Sequence, residues 1–312
     1  MVKIMKIIKN KYVSLSLKLL FAFGMILLLY FESRKMLRNF DFHLVERHIH
    51  ELTLQQIVVL LVVGMVAVLP MCLYDFALVR FFHIRIPLLR TLRYAYAANS
   101  YSNFLGFGGV GGAALRVYFY QKNKFDKFHL VKAIASLSLF YLTGLSIICW
   151  TIVFHIFFTP VLTELKWVKF VVWGFALYTP ILLVVYYVRK SQNNIIFRRK
   201  YVLSFICTSF LEWTSVLGTL WAIMFVLHVP LPFHVLMPIA LVSICAGIIS
   251  MIPGGVGSFD LIFLMGSELA GVKAEEVLLG LALYRLIYYV FPFVIGSMLF
   301  IVEWIKDRMR SK

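Results

Sequence analysis

Apolar residues in this chain gather in unbroken blocks rather than alternating with polar ones. A helix crossing a hydrocarbon core uses about 20 such residues, and six segments reach that length: 12–31, 57–79, 133–158, 168–188, 202–227 and 277–302. None of them has the period-2 alternation of a transmembrane barrel strand, so each predicts a helix that satisfies its own backbone groups. Two further apolar stretches, 94–114 and 235–271, are interrupted by glycine, the second also by Pro253. These predict re-entrant segments that enter and leave on one side, which a membrane tolerates where irregular backbone is buried in protein or lines a cavity. The pattern predicts an all-α, polytopic helical membrane protein.

Composition agrees. Of 312 residues, 62% are hydrophobic and 14% charged, against roughly 25% charged in soluble domains, and the mean hydropathy is +0.90. The formal charge of +17 does not point to nucleic acid, because the basic residues sit in short clusters between apolar blocks, as in loops facing an anionic leaflet. Those clusters (the amino terminus, 80–93, 116–132, 189–200 and 306–312) are expected inside, while 32–56, 158–167 and 228–234 are expected outside. Both termini are then expected to be cytoplasmic. The first block follows Lys3, Lys6, Lys9 and Lys11, as a signal peptide would, but no small-residue cleavage site follows and Glu32, Arg34 and Lys35 come next; a retained anchor is expected. Cys72, Cys149, Cys207 and Cys245 fall within apolar blocks and read as small hydrophobes. His43, His48 and His50 beside Glu46 and Glu51 fit a solvated amphipathic segment better than a metal site, and neither metal nor cofactor is expected.

The two breaks share a sequence. Gly108-Gly109-Val110-Gly111 recurs as Gly254-Gly255-Val256-Gly257, 146 positions on. The same offset carries 57–79 onto 203–225 and 133–158 onto 279–304, close to the fifth and sixth blocks. Each half, 1–158 and 159–312, reads span, span, break, span within one membrane domain covering 1–312. Three crossings is an odd number, so the halves are expected to be inverted, as in transporters whose paired Gly/Pro breaks flank a midplane site. Glycines that merely let helices pack closely are the plainer alternative. Gly106 to Gly111 also matches GxGxxG, but without a preceding strand and a βαβ unit it is a chance match.

Ionisable residues in spans cost roughly 2.5 to 3.5 kcal/mol each and face a partner or a cavity. Here they are Asp75, Glu212, Asp260, Glu268 and Arg285, with Arg116 just past the first break. Asp75 lies near a span end, where snorkelling would explain it; Glu212 and Arg285 lie too deep for that. Asp260 and Glu268, eight positions apart on a helix, lie about 80° and 12 Å apart. A structural network of buried pairs is the plain reading. The functional one is complementarity, with carboxylates for a cationic head group and Arg116 or Arg285 for a phosphate, supplemented by free N–H groups if a helix starts after Gly257. HExxH, GxSxG and P-loop motifs are absent from the sequence, so catalysis by this chain is not expected.

Asn103-Phe104-Leu105-Gly106-Phe107-Gly108-Gly109 followed by Arg116, Ile252-Pro253-Gly254-Gly255-Val256-Gly257-Ser258-Phe259-Asp260, and Tyr284-Arg285-Leu286-Ile287-Tyr288-Tyr289 together resemble the membrane flippase region of the multiple peptide resistance factor family, also called lysylphosphatidylglycerol synthase/flippase. The resemblance covers nearly the whole chain. It implies translocation of lysyl- or alanyl-phosphatidylglycerol to the outer leaflet, where the added positive charge repels cationic antimicrobial peptides. It also implies that Asp75, Arg116, Glu212, Asp260, Glu268 and Arg285 matter for that movement. Bifunctional members continue into further spans and a cytosolic aminoacyl-transferase domain that uses charged tRNA, whereas this chain reaches Lys312 just after its last span; the resemblance therefore implies flipping rather than phosphatidylglycerol lysyltransferase activity. The competing expectations are a scaffold or accessory subunit for a separate synthase, and the lysyltransferase itself. The expected partners are an anionic or aminoacylated phospholipid and the membrane, with a synthase domain or subunit and a second copy of the chain as the protein partners, and no nucleic acid.

Overall fold

A computed structural model describes residues 52–105, 109–121, 127–190, 199–250 and 253–310, all within the second of two compact units, Val45–Lys312. The anchor expected at 12–31, the histidines near residue 50 and Gly108 lie outside the described residues.

Among the described residues, five helical stretches are long and apolar enough to cross a membrane: Leu54–Phe81, His129–Val153, Lys166–Val188, Arg199–Val226 and Ala274–Lys306. They coincide with the last five predicted blocks. The first comprises α1 (Leu54–Ala67), opened by a Thr53/Gln56 capping box, and α2 (Leu69–Phe81). Pro70, which lacks an N–H, stands at their junction. Next come α3 (Leu88–Leu105) and α4 (Val110–Gln121), then α5 (Lys127–Leu137), a 3₁₀ turn and α6 (Thr143–Val153). After the short α7 (Val161–Glu164) come α8 (Lys166–Lys190), α9 (Arg199–Val226), α10 (Phe233–Ile249) and α11 (Ser258–Leu269). The last crossing is α12 (Ala274–Tyr284), a π-helical turn over Arg285–Val290 and α13 (Phe291–Arg310).

Both interrupted stretches fold as helical hairpins. In the first, Tyr94 on α3 stacks on Phe119 of α4 at 4.1 Å and Asn99 meets Arg116, so the legs run antiparallel. In the second, Ile239 on α10 faces Gly266 of α11, while Gly247 faces Phe259. The turns need glycine: Gly109, Gly254, Gly255 and Gly257 have φ of 81°, 67°, 63° and 87°, where a Cβ costs roughly 1–2 kcal/mol. Close crossings rest on small residues too, since a Cβ at Gly112 would strike Ser102 and Ala98, and one at Gly144 would strike the Ser209 backbone.

Among the described residues, apolar side chains fill two clusters inside, one on α1 and α6 to α12 and another on α2 to α5 with the start of α9. They also cover the outside. Phe170, Val184, Leu203 and Met298 are each more than 60% exposed, a surface suited to hydrocarbon.

Backbone groups freed by irregularities find side-chain partners. Pro180 inside α8 cannot donate to Ala176 O, and Ser146 Oγ donates to that carbonyl at 2.9 Å. Tyr141 O, at the α5–α6 break, accepts from Ser209 Oγ at 2.9 Å and Trp213 Nε1 at 2.7 Å. Three helices, α2, α6 and α9, end on a histidine in the left-handed region: His83, His155 and His228, with φ of 53°, 57° and 56°. In each, the next residue's N–H reaches back to the carbonyl five positions earlier (Ile84 to Val79, Ile156 to Thr151, Val229 to Met224), closing the helix as a glycine ordinarily would. This cap stops α6 at Val153, five residues short of the block expected to run to 158.

Candidate functional site

The hairpins hold four of the expected membrane-embedded charges in two separate ion pairs. On the first, α4 carries Arg116 against Asp75 of α2. Its Nε lies 3.0 Å from Asp75 Oδ1 and its Nη2 2.9 Å from Oδ2, a bidentate fork. Arg116 Nη2 also donates to Asn99 Oδ1 at 2.6 Å and Nη1 to the Tyr141 hydroxyl at 3.1 Å. Asp75 accepts further bonds from Tyr120 OH at 3.0 Å and Asn99 Nδ2 at 3.1 Å. Arg116 and Asp75 are 1% and 0% exposed. Asp75 thus does not snorkel; it is sealed in, with every carboxylate oxygen bonded. Beside this cluster Tyr74 donates to Glu212 Oε2 at 2.9 Å, joining α2 to α9.

The second pair is built differently. Asp260 lies in the first turn of α11 and accepts Gly257 N–H at 2.9 Å on Oδ2. That oxygen also accepts Arg285 Nη2 at 2.6 Å, while Nη1 reaches Gly254 O at 3.4 Å. Arg285 therefore ties the π turn to the glycine break. The helix does start after Gly257, as expected, but its leading N–H is already taken by Asp260. The pair is half open: the Arg285 side chain is 27% exposed against 6% for Asp260. Asp260 Oδ1 is buried and has no hydrogen-bond partner among the described residues, an orphan of the kind that native folds rarely leave unexplained.

Five of the six expected charges thus enter the two pairs or the adjoining Tyr74 bond. Glu268 does not: it lies exposed near the end of α11, whereas Asp260 is buried in its first turn. The structure adds Asn99, Tyr120, Tyr141 and Tyr74. Of these Asn99 had a signal, as an amide in the small-residue run Ala97 to Ser100 of an apolar stretch; the tyrosines had none. Glu303 was also missed. It is 2% exposed and takes Arg93 at 2.6 Å and Arg90 at 3.1 Å, clamping α3 to α13.

Comparison with known proteins bears on this arrangement. Residues 15–296 match the family model described as the lysylphosphatidylglycerol synthase TM region. A phosphatidylglycerol lysyltransferase of Bacillus subtilis (strain 168) is 32% identical over 301 residues, covering 93% of this chain and 34% of the relative. Phosphatidylglycerol lysyltransferases of Staphylococcus xylosus (33% identical over 251 residues, 80% and 29% covered) and Staphylococcus aureus strain MRSA252 (32% over 295 residues, 94% and 34% covered) are similar as well. The chain spans about a third of the length of these relatives.

Proposed function

The chain belongs to the family of the lysylphosphatidylglycerol synthase transmembrane region, and from that membership we propose that it moves aminoacylated phosphatidylglycerol, lysyl-phosphatidylglycerol in particular, toward the outer leaflet of a bacterial plasma membrane. The observation that carries this reading is the half-open Asp260–Arg285 pair at the second glycine break, with its unpartnered carboxylate oxygen. An aminoacylated lipid brings both a phosphate and an ammonium group. The phosphate takes Arg285 as the ammonium takes Asp260, so the resident pair opens without leaving a lone charge in low dielectric. The sealed Asp75–Arg116 cluster, by contrast, fixes the first hairpin against α2.

Three crossings separate the two hairpins, His129–Val153, Lys166–Val188 and Arg199–Val226, so the breaks open toward opposite faces. This supports the inverted-half arrangement, and the basic clusters at 80–93 and 189–200 favour cytoplasmic termini. The test is reconstitution of the chain in vesicles with lysyl-phosphatidylglycerol and a leaflet-selective amine reagent. Arg285→Ala and Asp260→Asn are expected to slow equilibration at least tenfold while the protein keeps its fold. Wild-type rates in both variants sink the proposal.

A further inference from the structure

Helices α2 and α9 run antiparallel, as the Tyr74–Glu212 bond and the edge-on Phe81–Tyr201 ring contact at 5.4 Å require. Between them lies a cavity of about 540 Å³, within the roughly 300–1,000 Å³ range of small-molecule sites. Its chemistry is graded along its length. Arg80 and Lys200 stand at one end, the hydroxyls of Ser204 and Thr208 follow, and Leu73 and Leu211 line the other end.

On α2 these residues lie about 150° round from Asp75, so the groove is separate from the buried ion pairs. Lys200 holds its Nζ 5.0 Å over the Tyr201 ring, which keeps the ammonium at the mouth. Leu73 and Leu211 are 42% and 48% exposed, so the apolar end opens to the surrounding hydrocarbon.

We propose that this groove docks one anionic glycerophospholipid, its phosphate between Arg80 and Lys200 and an acyl chain laid along Leu73 and Leu211. Two cations at one end of a cavity repel each other, and a phosphodiester between them turns that repulsion into two charge-assisted contacts. The serine and threonine hydroxyls suit the glycerol and ester oxygens next along the lipid. Dimensions agree: Lys200 to Leu211 on a helix covers about 16 Å, half of a hydrocarbon core about 30 Å thick. The cationic end belongs to segments placed on the cytoplasmic face, so the lipid comes from that leaflet. The groove is independent of whether the chain translocates lipid.

Cys207 lines the groove and is exposed, whereas Cys72, Cys149 and Cys245 are buried, so it reports occupancy. The whole chain is placed in nanodiscs of phosphatidylglycerol or of phosphatidylcholine with identical acyl chains, and Cys207 alkylation is timed. In parallel, lipid retained after release from an equimolar mixture is weighed by native mass spectrometry. Alkylation at least fivefold slower in phosphatidylglycerol, with one such lipid retained about tenfold over phosphatidylcholine, is expected. Arg80→Gln with Lys200→Gln is expected to abolish both preferences. Ser204→Trp, which fills the groove and leaves the charges, is expected to lose the retained lipid. Equal behaviour of the two lipids, or preferences unchanged in both variants, overturns the proposal. Arg285→Ala is expected to keep the lipid, and its loss there would overturn the separation from the ion-pair site.

Discussion

Arg116 is held by oxygen on every side, and that makes its stability role separable from function. Removing one partner of a buried pair costs about 3–5 kcal/mol because the other charge is stranded. Asp75→Asn and Arg116→Ala are therefore expected to lower the melting temperature of the detergent-solubilised protein sharply, whereas Asp260→Asn, which leaves behind an Arg285 side chain that is 27% exposed, costs markedly less. Equal melting temperatures for all three would contradict the division into a sealed cluster and an open one. The charged members were legible in the sequence because an ionisable residue amid apolar ones stands out. Their pairing was not, since Asp75 and Arg116 are 41 positions apart and meet through helix packing. Tyr74, Tyr120 and Tyr141 were invisible for another reason: aromatic residues are frequent in this chain, so three polar-tipped ones carry no mark.

At the level of elements, irregular backbone is answered locally. Ser146→Ala leaves the Ala176 carbonyl opposite Pro180 without its partner, a loss expected to cost about 1–3 kcal/mol and measurable as a lower unfolding midpoint. The histidine caps give a signed test. His228→Gly is expected to hold or raise stability, while His228→Val forces a β-branched residue to positive φ and lowers stability by about 1–2 kcal/mol. Equal stability of the two variants would remove the cap argument. Block length predicted the five described spans well, because apolar length is what a membrane demands. Boundaries were less legible: histidine serves as the cap at three helix ends where glycine is the familiar signal, and basic, amphipathic α13 runs on to Arg310, beyond the apolar block ending at 302.

For the whole molecule, the shared glycine motif anticipated two hairpins, and both form, although the part of the first motif at Gly108 lies outside the described residues. The proposed topology is tested with single cysteines in a background lacking the four native ones. An impermeant maleimide is expected to reach Pro230→Cys in intact spheroplasts and Arg85→Cys only after permeabilisation; the reverse order defeats the inverted arrangement. One consequence of the two ion pairs is electrical. Asp75 with Arg116 and Asp260 with Arg285 sum to zero formal charge, so voltage exerts no net pull on either pair. A lysyl-phosphatidylglycerol carries one net positive charge, and its outward passage against an inside-negative potential is uphill by about 2.3 kcal/mol per 100 mV. In vesicles under a potassium diffusion potential with no other energy source, its leaflet ratio is expected to shift about 50-fold per 100 mV. Net-neutral alanyl-phosphatidylglycerol should not shift at all. A voltage-dependent distribution of the alanyl lipid would mean that an ion is carried across with it.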